Sequence, residues 1–146
     1  MKKILLLVMA ALVALPQVSS AKKNESEGLK VMSYNVRLGV GKDGTNSWQF
    51  RCPATIMMLE EYVPDVFGVQ EAYDFQVKFI TEYAPDYKCV GVGREDGKKE
   101  GEHMSIFWNK KTVKLLKWGT YWLSETPDTP SKGWDAACMR TATWAL

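Results

Sequence analysis

Two polar residues stand where the sequence predicts the ends of two strands. Asn35 closes the segment LKVMSYNV before a glycine-rich loop, and Glu71 closes the segment DVFGVQE. If these strands are parallel and joined through the helix between them, both side chains reach the same sheet edge, where ligands of open sheets bind. A carboxylate and an amide oxygen suit Mg²⁺, which needs only one or two protein carboxylates. By spacing alone, a glutamate at a strand end is more often a solvated charge, and an asparagine before a glycine loop is more often a turn former.

The intervening segments predict the elements that position these residues. Residues 48–63 indicate a helix, with Ile56, Leu59 and Val63 at helical spacing and Pro53 acceptable only in its first turn. A second helix, capped by Asp74, has its apolar residues on one face. Strands are predicted over 29–36, 65–71, 87–92, 102–109, 113–123 and 140–146. The order β-α-β-α-β-β-β-β predicts an α+β fold with helices packed outside a sheet.

The N-terminus carries the pattern of a secretory signal peptide. A basic start is followed by an apolar run that is too short for a bilayer-spanning helix, and small residues end at Ala21. We therefore expect a signal peptide over 1–21, a polar linker over 22–28 and a folded region over 29–146. The mature protein is then exported, periplasmic or extracellular, and has no membrane span.

Charge and composition narrow the function classes. The chain of 146 residues has a formal net charge of +2, which Lys2 and Lys3 supply. The mature chain is therefore neutral, so we expect no stable nucleic-acid complex, although a nucleic-acid substrate is not excluded. His103 is the only histidine, which excludes an HExxH site.

The cysteines and the aromatic residues indicate the type of site less clearly than charge and composition do. Three cysteines without a CxxC pair indicate neither a disulfide framework nor a zinc ribbon, and the sequence does not choose a pair for one possible bridge. Alternating aromatic residues on strands are typical of a core, although they also suit sugar stacking. We predict core positions for Tyr34, Trp108, Trp118, Trp122, Trp134 and Trp144.

Five segments in order resemble one known family. LKVMSYNVR, PDVFGVQE, GREDGKKEGEHMSIFW, GTYWLSETP and GWDAACMRTATW are similar to segments of the endonuclease/exonuclease/phosphatase superfamily, in its secreted bacterial branch of metal-dependent hydrolases. The resemblance runs over 29–146 and implies the N-terminal half of a two-sheet α/β sandwich with flanking helices, the deoxyribonuclease-I-like fold. It implies phosphoester hydrolysis with Mg²⁺ or Mn²⁺ and water as the nucleophile.

The resemblance also implies roles for four residues. Glu71 matches the family's glutamate metal ligand, and Asn35 matches the asparagine that supports the metal and the phosphate. Glu102 resembles the glutamate that orients the catalytic histidine, since a carboxylate fixes an imidazole's tautomer. Arg140 resembles an arginine that approaches the scissile phosphate, whose geometry a guanidinium matches.

The family's later motifs do not occur in this sequence. These are a histidine followed by Asp or Asn, an Asp-x-Asn strand end and a terminal Asp-His pair, and His103 matches none of the family's catalytic histidines. We therefore expect the 146-residue chain to be an incomplete and inactive part of an exported Mg²⁺-dependent phosphoester hydrolase. The alternative is a non-catalytic remnant or a module that binds a glycan or a partner. The substrate class and the oligomeric state stay open.

Overall fold

The computed structural model describes residues 28–146. The predicted signal peptide over 1–21 lies outside the described residues, as does the linker up to residue 27. Among the residues described, no helix combines the length and the apolar character that a membrane crossing requires.

The order of elements confirms the α+β prediction. Two helices lie between the first three of six strands, and a short 3₁₀ turn over Gly44–Asn46 precedes the first helix. The elements are β1 (Val31–Asn35), α1 (Trp48–Tyr62), β2 (Val66–Gln70), α2 (Asp74–Tyr83), β3 (Tyr87–Val90), β4 (Ile106–Asn109), β5 (Trp118–Trp122) and β6 (Thr141–Ala145).

The strands form a mixed four-stranded sheet and a separate two-stranded sheet. The first has the order β1-β2-β4-β3, with β1 and β2 parallel and β4 antiparallel to both of its neighbours. The second pairs β5 with β6 in antiparallel register. Because β1 and β2 are parallel and α1 connects them, their carboxyl ends lie at the same edge of the larger sheet.

Both helices contribute to a core on one face of the larger sheet. Phe67 and Phe107 stack at 4.6 Å between ring centroids and are fully buried together with Leu59 of α1 and Ile80 of α2. The opposite face carries residues that alternate with these along the strands. Of these, Val31 is 70% exposed. A cleft on this side is lined by apolar residues that include Val66, Trp108 and Leu146.

Several boundaries differ from the sequence prediction. β4 begins at Ile106 rather than at residue 102, because His103 forms isolated bridges to two different partners, Ala72 and Gly93, and so does not continue the ladder. β5 begins at Trp118 rather than at residue 113. Pro53 lies in the second turn of α1, where the Cys52 thiol contacts the Gln49 carbonyl oxygen that a residue-53 N–H would otherwise use.

The predicted core positions of the aromatic residues are only partly right. Trp122 is buried, whereas Trp118, Trp134 and Trp144 are exposed. Tyr34 is partly buried, and its hydroxyl pairs with the Thr55 hydroxyl at 3.0 Å. The exposed tryptophans lie in or beside the β5–β6 sheet. Other described residues pack against only part of this sheet. All three cysteines are free thiols and partly buried, and burial raises the pKa of Cys89.

Candidate functional site

Parallel pairing brings Asn35 and Glu71 side by side. Asn35 lies opposite Gln70 in the register of β1 and β2, so Glu71 follows directly at the same sheet edge. The Asn35 amide nitrogen Nδ2 donates a hydrogen bond to Glu71 Oε1 at 2.9 Å. The juxtaposition expected from the two strand ends is therefore present.

The chain turns sharply after each of these strands. Arg37 has φ of 59° and Glu71 has φ of 61°, in the left-handed region that non-glycine residues rarely adopt. Such conformations cost about 1–3 kcal/mol each and persist where the surroundings hold them. The surroundings here are hydrogen bonds: the Arg37 N–H donates to Asn35 Oδ1 at 2.8 Å, and the Leu38 N–H donates to Glu71 Oε2 at 3.1 Å.

These donors keep the Glu71 carboxylate charged. The hydrogen bond from Asn35 lowers the pKa of Glu71, and the Leu38 N–H and the positive charge of Arg37 lower it further, against the opposing effect of partial burial. Glu71 therefore presents a negative charge at neutral pH. The charge lies at a partly open sheet edge rather than in the core.

The residues at this edge fit a hydrated divalent cation. Each Glu71 oxygen accepts one hydrogen bond in the structure and retains lone-pair capacity for a metal. Mg²⁺ is commonly held by one or two carboxylates, with waters and substrate oxygens completing six positions. Within residues 28–146 no group of three or more His, Cys, Asp or Glu side chains converges on a common point. This part of the chain therefore offers one anionic ligand and its support.

Two guanidinium groups lie next to this pair. Arg37 binds Asp43 through two contacts, from Nε at 3.2 Å and from Nη2 at 3.0 Å, and this contact lowers the pKa of Asp43. Arg51 donates to the carbonyl oxygens of Val36 at 2.9 Å and Asn46 at 2.5 Å. Together these residues line an open cleft of about 380 Å³. Asp43 compensates the charge of Arg37, so Arg51 gives this cleft its net positive charge, which suits an anion.

Glu102 is held by an arginine near the same edge. Its Oε2 atom lies 2.7 Å from Arg94 Nη1, and both side chains are largely buried. Glu102 directly precedes His103, whose N–H donates to the Ala72 carbonyl at 2.6 Å. Because Ala72 follows Glu71, the backbone of Glu102 runs beside the loop that carries Glu71. The predicted role of Glu102 as an orienting group stays a prediction.

Arg140 is not brought to this edge by any contact. It is exposed and directly precedes β6, and its carbonyl oxygen accepts a hydrogen bond from the Leu123 N–H at 2.8 Å. In the part of the chain that the structure describes, its side chain forms no hydrogen bond or ion pair, so its predicted role at a phosphate also stays a prediction.

One buried residue at the site was not predicted from the sequence. Gln76 lies on α2 with no exposed surface and bonds to backbone atoms of both loops that carry Asn35 and Glu71. The available signal was a glutamine between apolar residues in the first turn of a predicted helix, the position from which a side chain reaches back to the preceding backbone.

Comparison with solved structures gives the class of protein. An endonuclease/exonuclease/phosphatase family protein from Bacteroides thetaiotaomicron is 43% identical, with a TM-score of 0.77 over 80% of this chain and 43% of its own. The mannosyl-6-phosphatase of Bacteroides thetaiotaomicron VPI-5482 is 42% identical, with a TM-score of 0.77 over 81% of this chain and 45% of its own. A Bacteroides vulgatus member is 36% identical, with a TM-score of 0.78 over 80% of this chain and 45% of its own.

The chain belongs to the endonuclease/exonuclease/phosphatase superfamily, and its α+β architecture is part of the deoxyribonuclease-I-like fold. It spans less than half the length of these relatives. No protein-family model matches the sequence, and no curated protein matches it.

Proposed function

We propose that the full-length protein is an exported, metal-dependent phosphoester hydrolase whose metal ligand is Glu71. The observation that carries this proposal is the Glu71 carboxylate, which Asn35 and the Leu38 N–H hold ionised at the carboxyl edge of two parallel strands. Export rests on the signal-peptide pattern over residues 1–21.

Glu71 would hold Mg²⁺ or Mn²⁺, and Asn35 would keep the carboxylate oriented through Nδ2. The bound metal supplies polarisation of a phosphoryl oxygen and stabilisation of the departing alkoxide. Arg51, which bonds to carbonyl oxygens rather than to a carboxylate, would give the neighbouring cleft a positive charge that favours binding of the anion. Glu102 would fix a histidine that these 146 residues do not supply, and Arg140 would act at the phosphate. The chain by itself is therefore expected to be inactive.

The substrate class that we favour is a sugar phosphate monoester. The support is the 42% identity with a mannosyl-6-phosphatase over 81% of this chain. The neutral charge of the mature chain agrees with a small substrate rather than with a polynucleotide held along an extended basic surface.

The experiment is a phosphate-release assay on the full-length protein with Mg²⁺, Mn²⁺ or EDTA. The substrates are mannose 6-phosphate, glucose 6-phosphate and the phosphodiester bis(p-nitrophenyl) phosphate. We expect metal-dependent release from a hexose 6-phosphate, abolished by EDTA and by Glu71→Gln, a substitution that removes the charge and preserves the shape.

Glu61→Gln is the matched control, because Glu61 is exposed on α1 and the same charge is removed away from the site. Full activity of Glu71→Gln would remove Glu71 from the site. Activity on the diester alone would keep the hydrolase proposal and overturn the sugar phosphate as substrate. Inactivity of the wild type on all substrates would favour the non-catalytic alternative.

A further inference from the structure

Gln76 occupies an unusual place for an uncharged polar side chain. It lies in the first turn of α2 and has no exposed surface. Its Oε1 atom accepts a hydrogen bond from the Tyr73 N–H at 3.0 Å, and its Nε2 atom donates to the Arg37 carbonyl oxygen at 3.0 Å. Because an N–H only donates and a carbonyl only accepts, these partners determine the orientation of the amide.

The two bonds join the loops that carry the site. Tyr73 lies two residues after Glu71, and Arg37 lies two residues after Asn35. The peptide unit between Arg37 and Leu38 is held at both ends: its carbonyl oxygen accepts from Gln76, and its N–H donates to Glu71 Oε2 at 3.1 Å. Gln76 therefore fixes the plane of the peptide that donates to the carboxylate.

The packing of the loop after β1 against Gln76 supports the same arrangement. A Cβ atom placed on Gly39 would lie 2.3 Å from Phe75 Cζ and 2.7 Å from the Gln76 side-chain carbon Cδ, both closer than van der Waals contact allows. The loop after β1 therefore lies directly on the Gln76 amide, and only glycine at position 39 permits this distance. The carbonyl oxygen that accepts from this amide belongs to Arg37, the residue in the left-handed conformation.

We propose that Gln76 is a positioning residue for Glu71, acting through the Arg37–Leu38 peptide. The proposal rests on the proposed function, in which Glu71 is the metal ligand. If the Gln76 amide cannot donate to the Arg37 carbonyl oxygen, the peptide plane is free to rotate. The Leu38 N–H then no longer points at Glu71 Oε2. Outer partners of metal ligands typically change metal affinity by about 10- to 100-fold.

The principal test is Gln76→Glu in the full-length protein, with Mn²⁺ alone as the probe in calorimetric titrations. A glutamate still accepts from the Tyr73 N–H, but its ionised form cannot donate to the Arg37 carbonyl oxygen, whereas its protonated form can. We expect Mn²⁺ binding at pH 7.5 to be weaker than wild type by about 10- to 100-fold. The ratio of variant to wild-type Kd should shrink towards pH 5.5, because burial favours the protonated form.

Gln49→Glu is the matched control, since Gln49 is exposed on α1 and receives the same chemical change. It should bind Mn²⁺ as the wild type does. A wild-type Kd for Gln76→Glu would overturn the proposal. So would a weakening that is equal at both pH values, because a merely structural loss does not depend on protonation of residue 76.

Gly39→Ala provides a second variant, which leaves residue 76 itself unchanged. Its added Cβ should displace the Gln76 amide together with the Phe75 ring and weaken Mn²⁺ binding. Wild-type Mn²⁺ binding by Gly39→Ala would contradict the positioning role of Gln76. Unaltered Mn²⁺ binding by Glu71→Gln would instead overturn the proposed function, so the two failures are distinguishable.

Discussion

The Asn35 amide nitrogen and the Glu71 carboxylate meet at 2.9 Å although 36 residues separate them in the chain. Parallel strands make this contact possible, because they end at the same edge and α1 bridges the distance between them. The contact satisfies one carboxylate oxygen while the Leu38 N–H satisfies the other. An acid held in this way stays charged and keeps its orientation, which are the two properties that a metal ligand needs.

Removing the Asn35 amide should weaken the acidity of Glu71. Because the hydrogen bond from Asn35 is the largest cause of the lowered pKa of Glu71, Asn35→Ala should raise that pKa. NMR titration of the Glu71 carboxyl measures the change. Asn46→Ala is the control, since Asn46 is exposed and its side chain forms no hydrogen bond to Glu71. An equal shift in both variants would contradict the role assigned to Asn35.

Acid should destabilise the fold through Asp96. Its Oδ1 atom accepts the N–H groups of Lys98 at 2.7 Å, Lys99 at 2.9 Å and Glu100 at 3.0 Å, and these bonds, that of Glu100 first, lower its pKa. A lowered folded-state pKa contributes stability above the unfolded value, about 3.9 for Asp, and this stability is lost as pH falls through the folded value.

Asp96→Asn should therefore be less stable than the wild type at pH 7, and the difference should shrink as the pH falls below about 4 and through the lowered folded-state pKa, beneath which both states bind the proton. Urea unfolding at several pH values measures it. Asp135→Asn serves as the control, because Asp135 is exposed and its side chain forms no hydrogen bond within the described region. If Asp96→Asn lost the same stability at every pH, the turn would depend on the shape of residue 96 rather than on its charge.

The core of the larger sheet should depend on Phe67. Its ring is fully buried, stacks on Phe107 at 4.6 Å and meets Tyr87 edge-on at 5.2 Å. Phe67→Ala should destabilise the protein by about 3–5 kcal/mol, as large cavities in cores do. Phe50→Ala removes the same ring at a site 61% exposed and should change the free energy of unfolding by less than about 0.5 kcal/mol. Thermal and urea unfolding of the full-length protein compare the two.

The Arg94–Glu102 ion pair should contribute more to the free energy of unfolding than a surface ion pair does. These side chains are 12% and 14% exposed, whereas those of Lys111 and Asp86 are 64% and 45% exposed. Glu102→Gln should cost about 1.5–3 kcal/mol, since hydrogen bonds to charged groups contribute that much. Asp86→Asn should cost less than about 1 kcal/mol. Equal losses in urea unfolding would mean that Glu95, the second partner of Arg94, replaces Glu102.

The sequence predicted that Asn35 and Glu71 reach one sheet edge, on the condition that their strands are parallel, because strand ends are local features. Each predicted strand ended at one of these residues, and the helix predicted between them allowed a parallel crossover. The left-handed conformations of Arg37 and Glu71 were not predictable, since neither residue type favours them. Gln76 was missed for a related reason: its burial follows from the packing of the loop after β1 onto α2, a tertiary contact without a local pattern.

The positions of the tryptophans show the same limit. Alternation predicted which residues share a face, but it does not tell whether another layer covers that face. Trp122 is buried because its indole N–H donates to the Arg94 carbonyl oxygen at 2.7 Å beneath the charged turn. Trp118 and Trp144 are 42% and 46% exposed, so the inference from aromatic character to burial was wrong for them.

The face of the larger sheet that lies opposite the helices, which the described residues cover only in part, should make residues 22–146 self-associate. Val31 is 70% exposed on β1, an edge strand, and the partly exposed Val66 and Trp108 continue the apolar surface across the sheet. Exposed apolar faces beside unpaired strand edges favour association between copies.

Sedimentation velocity at increasing concentration should show species larger than a monomer, and Val31→Lys should raise the monomer fraction because a charge opposes burial against another copy. Val40→Lys adds the same charge in the loop after β1, where the valine is 58% exposed, and should have a smaller effect. A chain that stays monomeric and unfolds in one sharp, cooperative thermal transition would contradict this expectation and show that the apolar face is tolerated in water.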